Sequence, residues 1–292
     1  MLLLAACATP AAVEDTAPDE NDADARGAEH EQLAQQLEKN PDSPKILLRL
    51  AELEATQGRV DEHKAAERKT IAAEAKTRGN ATVHDAQEAE AQRLETESAQ
   101  QRAQAAQHYE TFAKKFASDP SAPLALFSLA DVERSLHHDD RADAALEKIL
   151  HDYPSSSIAF DAHLMRAEQL FVVNDMAGAV KEYDAAAKGE RQRAYATYKR
   201  AWCQLNLEHF DLALNDFQAA MVGAPGKLAN EAAKDWVRAW AMVKGSTPAG
   251  AKERLEKFAH PGTVQALMKR LAQTYKDLGR DAEAAEAERL AQ

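Results

Sequence analysis

Three stretches of the sequence carry residue types that can do chemistry. The run His137-His138-Asp139-Asp140 combines imidazoles and carboxylates, which are ligands for metal ions. Cys203 offers a thiol, which becomes a nucleophile when its thiolate form is stabilised. The segment KGSTPAG, from Lys244 to Gly250, has the lysine, glycine and hydroxyl residues found in phosphate-binding loops.

None of these three stretches is expected to form a catalytic or metal site. The run from His137 to Asp140 falls in an exposed turn of the repeat pattern described below, where consecutive side chains diverge. Cys203 lies inside a helical pattern, where a cysteine packs as a small apolar residue. Residues 244–250 lack the order of a phosphate-binding loop, and no strand pattern precedes them. The sequence therefore predicts a protein that is not an enzyme and holds neither a metal nor a cofactor.

A different chemistry is indicated at the start of the chain. The stretch Leu4-Ala5-Ala6-Cys7 resembles the bacterial lipobox, in which the cysteine is acylated and becomes the mature N-terminus. Residues 1–7 lack a basic segment and a full apolar segment, so we interpret them as the end of a lipoprotein signal that begins upstream. The alternative is a chance apolar start, without lipidation at Cys7.

The next segment, residues 8–43, is strongly acidic. It holds ten acidic side chains against Arg26 and Lys39, and it accounts for eight of the twelve net negative charges of the chain. Because so polar a segment buries little apolar surface, we predict a disordered tether over residues 8–43. The remaining chain is nearly neutral, which argues against a nucleic-acid partner because such binding requires a basic face.

Repeats organise the rest of the sequence. The stretch from Ala194 to Pro225 resembles the tetratricopeptide repeat (TPR), in which two antiparallel helices meet at small residues in positions 8 and 20. Ala201 and Ala213 occupy those positions, and Phe217 occupies position 24. The same pattern predicts five units over residues 118–292, starting near residues 123, 160, 194, 232 and 265.

The pattern weakens upstream. Residues 44–117 fit degenerate TPR-like helices, in which Gly58 stands at the turn position but His63 replaces a small residue of the second helix. Strong helix formers without proline or glycine predict one long helix near residues 80–117. The resemblance implies an all-α fold, a right-handed TPR-type α-solenoid in which each helical pair covers its neighbour.

The TPR resemblance also implies a binding surface. In TPR proteins, positions 2, 5, 9 and 12 of the first helices line the concave face. In the units that start near residues 160, 194 and 232, those positions include six aromatic residues, among them all three tryptophans, and such residues are common binding anchors. The alternative is that neighbouring helices bury some of these rings. The expected protein-binding groove comprises Phe127, Leu164, Phe171, Tyr195, Tyr198, Trp202, Trp236 and Trp240.

Five basic residues are expected at the rim of this groove. They are suited either to binding an acidic peptide or to simple solvation. The basic rim comprises Lys188, Arg191, Arg193, Lys199 and Arg200.

Together, the lipobox, tether and repeats resemble the TPR lipoproteins of the bacterial outer membrane. The resemblance implies a non-catalytic scaffold, anchored by Cys7 at the periplasmic face of the outer membrane. It would gather other envelope proteins for outer-membrane biogenesis, a Tol-type complex or a motility machine. The alternative is a soluble cytoplasmic TPR module that binds peptides or acts like a chaperone.

Overall fold

The computed structural model describes residues 23–259 and 261–292. Within these ranges the chain is all-α, as predicted, and contains no β-strand. The chain divides into two compact units, Met1–Ile158 and Ala159–Gln292. None of the described helices is both long enough and apolar enough to cross a membrane.

Unit 1 contains two long helices flanked by shorter ones. Its helices are α1 (Ala23–Lys39), α2 (Pro44–Thr77), α3 (Ala81–Lys115), α4 (Ala122–Ser135) and α5 (Asp139–Asp152). The long helix expected near residues 80–117 is confirmed as α3. A capping side chain marks the start of each long helix. Ser43 accepts the Ile46 N–H at the start of α2, and Asn80 accepts the Val83 N–H at the start of α3.

Small residues let α2 and α3 approach each other closely. On α2 they recur every seventh residue and are buried, which keeps them on one face of the helix. At Gly58, an added Cβ would lie only 3.2 Å from the Ser98 carbonyl oxygen on α3. The Ser98 hydroxyl donates to the Gly58 carbonyl at 2.7 Å. The buried small residues are Ala51, Gly58, Ala65 and Ala72 on α2, and Ala91, Ser98 and Ala105 on α3.

The structural role of Gly58 therefore differs from the one predicted. The sequence pattern placed it at the turn of a degenerate repeat, but α2 continues through it without a break. The glycine is required by the close approach of α3, and it does not end a helix. Residues 44–117 form one long antiparallel hairpin instead of a short repeat followed by a long helix.

The predicted tether also requires correction. Residues 23–39, inside the expected 8–43 segment, form α1 and dock on α2. Arg49 donates to both carboxylate oxygens of Glu29, at 2.8 and 3.0 Å, and His30 Nε2 lies 3.1 Å from Glu54. These polar contacts cannot be inferred from composition. No side chain of residues 25–39 is buried, and Cys7 lies outside the described residues.

Unit 2 consists of four helical hairpins, the first of which begins at the boundary residue Ile158. Its helices are α6 (Ile158–Val172), α7 (Met176–Ala186), α8 (Arg193–Asn206), α9 (Phe210–Gly223), α10 (Gly226–Met242), α11 (Pro248–Glu256), α12 (Pro261–Asp277) and α13 (Asp281–Leu290).

With the α4–α5 hairpin of unit 1, the first helices begin at residues 122, 158, 193, 226 and 261. Four of the five starts lie within four residues of those expected from the sequence. The exception is α10, which begins at Gly226, six residues before the expected start at residue 232. Each unit is thus built from TPR-like antiparallel pairs.

Most of the hairpins share one turn geometry. The second residue after the end of the first helix has a positive φ, and the N–H of the residue that follows it donates to the carbonyl five residues before that donor, which is a Schellman motif. Glycine suits this left-handed position because it has no Cβ. The residues at this position are Gly79, His137, Asn174, Glu208 and Gly279.

Glu208 is therefore expected to be a strained residue. Its φ is 60°, and a side chain in the left-handed region costs roughly 1–2 kcal/mol. We expect Glu208→Gly to raise the free energy of unfolding of unit 2 by about 0.5–1 kcal/mol. All three tryptophans lie in unit 2, so their fluorescence during urea denaturation reports on this unit. Asn206→Gly, at the last residue of α8, is the matched control and should destabilise, because it adds chain flexibility and removes the bond from the Asn206 amide to the Trp202 carbonyl. A similar loss for Glu208→Gly would contradict the prediction.

Candidate functional site

The first helices of three hairpins in unit 2 lie side by side and form the candidate site. Tyr195 on α8 donates to Glu168 on α6 at 3.0 Å, and Tyr198 on α8 donates to Asp235 on α10 at 2.7 Å. We define the first-helix face as the partly exposed predicted groove residues on α6, α8 and α10. They are Leu164, Phe171, Tyr195, Tyr198, Trp202 and Trp240.

Phe127 does not belong to this face. It lies on α4 of unit 1 and lines a separate polar pocket, together with Thr56, Arg59 and Tyr109. The structure thus places one predicted groove residue in a different unit from the others.

Glu168 organises the α6 part of the first-helix face. Its Oε1 accepts hydrogen bonds from the Tyr183 hydroxyl at 2.6 Å and from the Tyr195 hydroxyl at 3.0 Å. Its Oε2 lies 3.3 Å from the Lys199 ammonium. Burial and the neighbouring Glu168 charge raise the pKa of Tyr183, so its hydroxyl remains a donor. These contacts hold the Tyr195 ring in place at the surface.

Lys199 requires a correction of the predicted basic rim. Only 6% of it is exposed, and its ammonium lies 4.1 Å from the centroid of the Phe171 ring as well as beside Glu168. The aliphatic part of the lysine packs between helices while the charge is paired. Lys199 therefore stabilises the α6–α8 contact and is not accessible to an acidic peptide.

Arg200 is also occupied inside the unit. It donates to both carboxylate oxygens of Asp216 on α9, at 2.8 and 2.7 Å, and its remaining terminal nitrogen donates to Asp184 on α7. The bonds to Asp216 raise the pKa of the guanidinium above its usual value. Arg200 thereby joins three consecutive helices.

The other three predicted rim residues are exposed near the connection between α7 and α8. Arg191 pairs with Asp161, Lys188 lies 4.0 Å from Asp184, and Arg193 donates to a backbone carbonyl. The predicted rim thus divides into two internal cations and three surface cations.

Asp235 shows how the face is held between α8 and α10. Burial raises the pKa of its carboxyl, and this effect is opposed by the hydrogen bond from Tyr198. A carboxyl whose folded pKa is raised contributes stability below its unfolded pKa, near 4. That contribution is lost as the pH rises through the folded value.

We therefore expect Asp235→Asn to change the pH dependence of unit 2. Asparagine can still accept from Tyr198 but does not titrate, so the variant should gain stability relative to the wild type as the pH rises from about 4 to 7. Urea denaturation followed by tryptophan fluorescence at several pH values measures this difference. For Val222→Ala, an exposed change in the same unit, the difference in unfolding free energy from the wild type should not vary with pH. A difference that is likewise independent of pH for Asp235→Asn would refute the expectation.

The three tryptophans differ in exposure. Trp202 is partly exposed and packs edge-on against Phe217, with ring centroids 5.8 Å apart. Trp240 is partly exposed, and its Nε1 donates to the Thr247 carbonyl at 3.2 Å. Both rings are held by contacts with neighbouring elements and still present surface.

Trp236 is not a groove residue, contrary to the prediction. It is fully buried. Trp240 stacks on it at 5.1 Å, and Phe258 packs edge-on at 6.4 Å between centroids. A tryptophan four residues further along the helix lies on the same face, so Trp240 covers Trp236 from solvent.

The candidate nucleophile and the candidate metal ligands of the sequence analysis do not form a reactive site in the described residues. Cys203 is buried on α8. His138 Nδ1 lies 2.8 Å from the buried Glu133, which Arg141 also contacts. Across the described parts of the chain, no group of three or more His, Cys, Asp or Glu residues is arranged to hold a metal ion.

The repeat pattern did not reveal that Glu168 and Asp235 hold the tyrosines of the first-helix face. Glu168 stands at position 9 of its repeat, one of the concave positions, so its location was predictable from the pattern. The residues that donate to it come from α7 and α8, and a single-helix pattern does not show those contacts.

Comparisons with known proteins give no family. No family model matches the sequence, and no curated protein matches it. Among solved structures, a monomeric mutant of IFIT1 with m7Gppp-AAAA is 13% identical, with a TM-score of 0.34 over 91% of this chain and 67% of that chain. The human IFIT1 dimer with PPP-AAAA is 15% identical, with a TM-score of 0.33 over 91% and 68%.

BtubC from P. vanneervenii is 14% identical, with a TM-score of 0.26 over 93% of this chain and 89% of that chain. With TM-scores below 0.5, these similarities assign neither a family nor an activity to the chain.

Proposed function

We propose that this protein is a non-catalytic scaffold and that the first-helix face binds a segment of a partner protein. The observation that carries the proposal is the row of partly exposed aromatic rings on neighbouring helices. Tyr195, Trp202 and Trp240 each keep surface available while a neighbouring element fixes the ring. Tyrosine and tryptophan anchor binding sites more often than other residues.

The fixed rings favour binding at low entropic cost. A side chain that is already held in one rotamer loses less freedom when a partner packs on it. Tyr195 is held by Glu168, and Trp240 by its bond to the backbone of Thr247. A helix or an extended segment with apolar side chains fits such a face.

The location of the protein is a second part of the proposal. We propose that Cys7 carries the lipid that anchors the scaffold at the periplasmic face of the bacterial outer membrane, where other envelope proteins are its partners. The support is the lipobox resemblance of Leu4 to Cys7. Stable anchoring needs more than one acyl chain, which triacylation of the cysteine supplies.

Peptide binding tests the face. Peptides selected from a random display library on the wild-type chain should bind Trp202→Ala at least about 10-fold more weakly, which corresponds to about 1.4 kcal/mol. Val222→Ala, which changes an exposed residue at the end of α9, is the matched control and should bind as the wild type does. Circular dichroism checks that both variants are folded. Equal affinity for all three proteins would refute the binding face.

Fractionation tests the anchor. In a bacterial host expressing the gene with its upstream region, Cys7→Ser should move the protein from the membrane fraction to the soluble fraction. Wild-type protein that is already soluble in the cytoplasm would favour the peptide-binding cytoplasmic module instead. This result is independent of the first-helix face, so the two parts of the proposal can fail separately.

A further inference from the structure

One edge of unit 2 carries an unusual set of exposed apolar side chains. Val172 is 81% exposed, Val173 72%, Leu278 53%, Leu212 52% and Met242 40%. All five lie at the turns where a first helix ends or its second helix begins. We name these five residues the apolar edge.

The five residues share this edge because of the hairpin topology. In stacked antiparallel pairs, the turns from first to second helices all fall on one side. The described part of unit 2 has one other large apolar side chain with comparable exposure, Val222, at the far end of α9. The exposed apolar residues are therefore concentrated on one side of the unit and not scattered singly, which is a sign of an interaction surface.

The charges beside the apolar edge are mostly negative. Five exposed acidic residues lie at the same turns, and Lys244 is an exposed cation among them. The other cations there are occupied: Arg280 donates to the carbonyls of Ala241 and Ser246, and Lys276 pairs with Glu288. The acidic residues are Asp175, Glu208, Asp211, Asp277 and Asp281.

We propose that the apolar edge docks a basic amphipathic helix of a partner protein. The apolar side chains match the apolar face of such a helix, and the acidic residues match its basic flanks. Four hairpins spaced by roughly 10 Å span about 30 Å, the length of a helix of about 20 residues. An anionic membrane is disfavoured, since the acidic residues repel it. The apolar edge shares no residue with the first-helix face.

A model peptide tests the proposal. An 18-residue amphipathic helix of leucine and lysine is the probe, and its affinity is measured by fluorescence anisotropy. The double variant Val172→Ser, Val173→Ser should bind it at least about 10-fold more weakly than the wild type. The double variant Glu208→Gln, Asp211→Asn should also bind more weakly, and its affinity should depend less on salt. Val222→Ser is the matched apolar control and should bind normally.

Three further arms separate the alternatives. A leucine–glutamate peptide of the same length should bind far more weakly than the lysine peptide, and vesicles of phosphatidylglycerol should not compete with it. Trp202→Ala should leave the affinity unchanged, which distinguishes this surface from the first-helix face. Unchanged binding by the valine double variant would show attraction to charge alone and overturn the proposal, as would preferential binding to the vesicles.

Discussion

Replacing Trp236 with alanine should lower the free energy of unfolding of unit 2 by about 3–5 kcal/mol. The indole is fully buried between Trp240 and Phe258, and Arg254 lies 6.0 Å from its ring centroid. Removing the ring leaves a cavity that these neighbours fill only in part. Urea denaturation followed by far-ultraviolet circular dichroism measures the loss without depending on the removed fluorophore.

Trp236→Phe is the control for this prediction. The Nε1 of Trp236 is buried without a hydrogen-bond partner among the described residues. Phenylalanine keeps one aromatic ring in the site and removes this unpaired group, although it fills less volume than the indole, so the loss should be smaller than for alanine. A loss below about 1 kcal/mol for Trp236→Ala would show that the site is solvated and not packed.

Arg200→Leu is expected to have the second largest effect, a loss of about 2–3 kcal/mol in unit 2. The change removes the two bonds to Asp216 and the bond to Asp184. The Asp216 side chain is only 13% exposed, so its carboxylate is left poorly solvated. Tryptophan fluorescence during urea denaturation gives the value.

A double-mutant cycle separates this ion pair from general packing. In Arg200→Leu with Asp216→Asn, the carboxylate is no longer left without its partner, so the combined loss should be smaller than the sum of the single losses. Arg193→Leu, an exposed change on the same helix, should stay within about 0.5 kcal/mol of the wild type. Strict additivity in the cycle would contradict the bridging role of Arg200.

The fold was predictable because spacing determines it. Small residues in phase, as at Ala201 and Ala213, allow two helices to meet, and both are fully buried in unit 2. The start of α3 at Ala81 was predictable because helix formers follow a capping asparagine. The unbroken course of α2 through Gly58 was not predictable, because the same glycine that ends a helix in one context permits a close approach in another.

The candidate site was less predictable than the fold. Repeat position places a side chain on a face but does not show what lies beside it. Trp236 and Trp240 fit the same stripe, yet one covers the other. Lys199 and Arg200 were expected at a rim because they are charged, and their partners Glu168 and Asp216 come from other helices. Contacts between helices therefore decide which residues of a predicted surface are accessible.

The shallow docking of α1 has a consequence for the motions of unit 1. A helix that buries no side chain of residues 25–39 can separate and re-dock without disturbing the close contact between α2 and α3. Its backbone amides should exchange hydrogen for deuterium well before those of Ala65 or Ala105. Unit 1 would then exist in solution as two exchanging forms, one with α1 in place and one that exposes the neighbouring surface of α2.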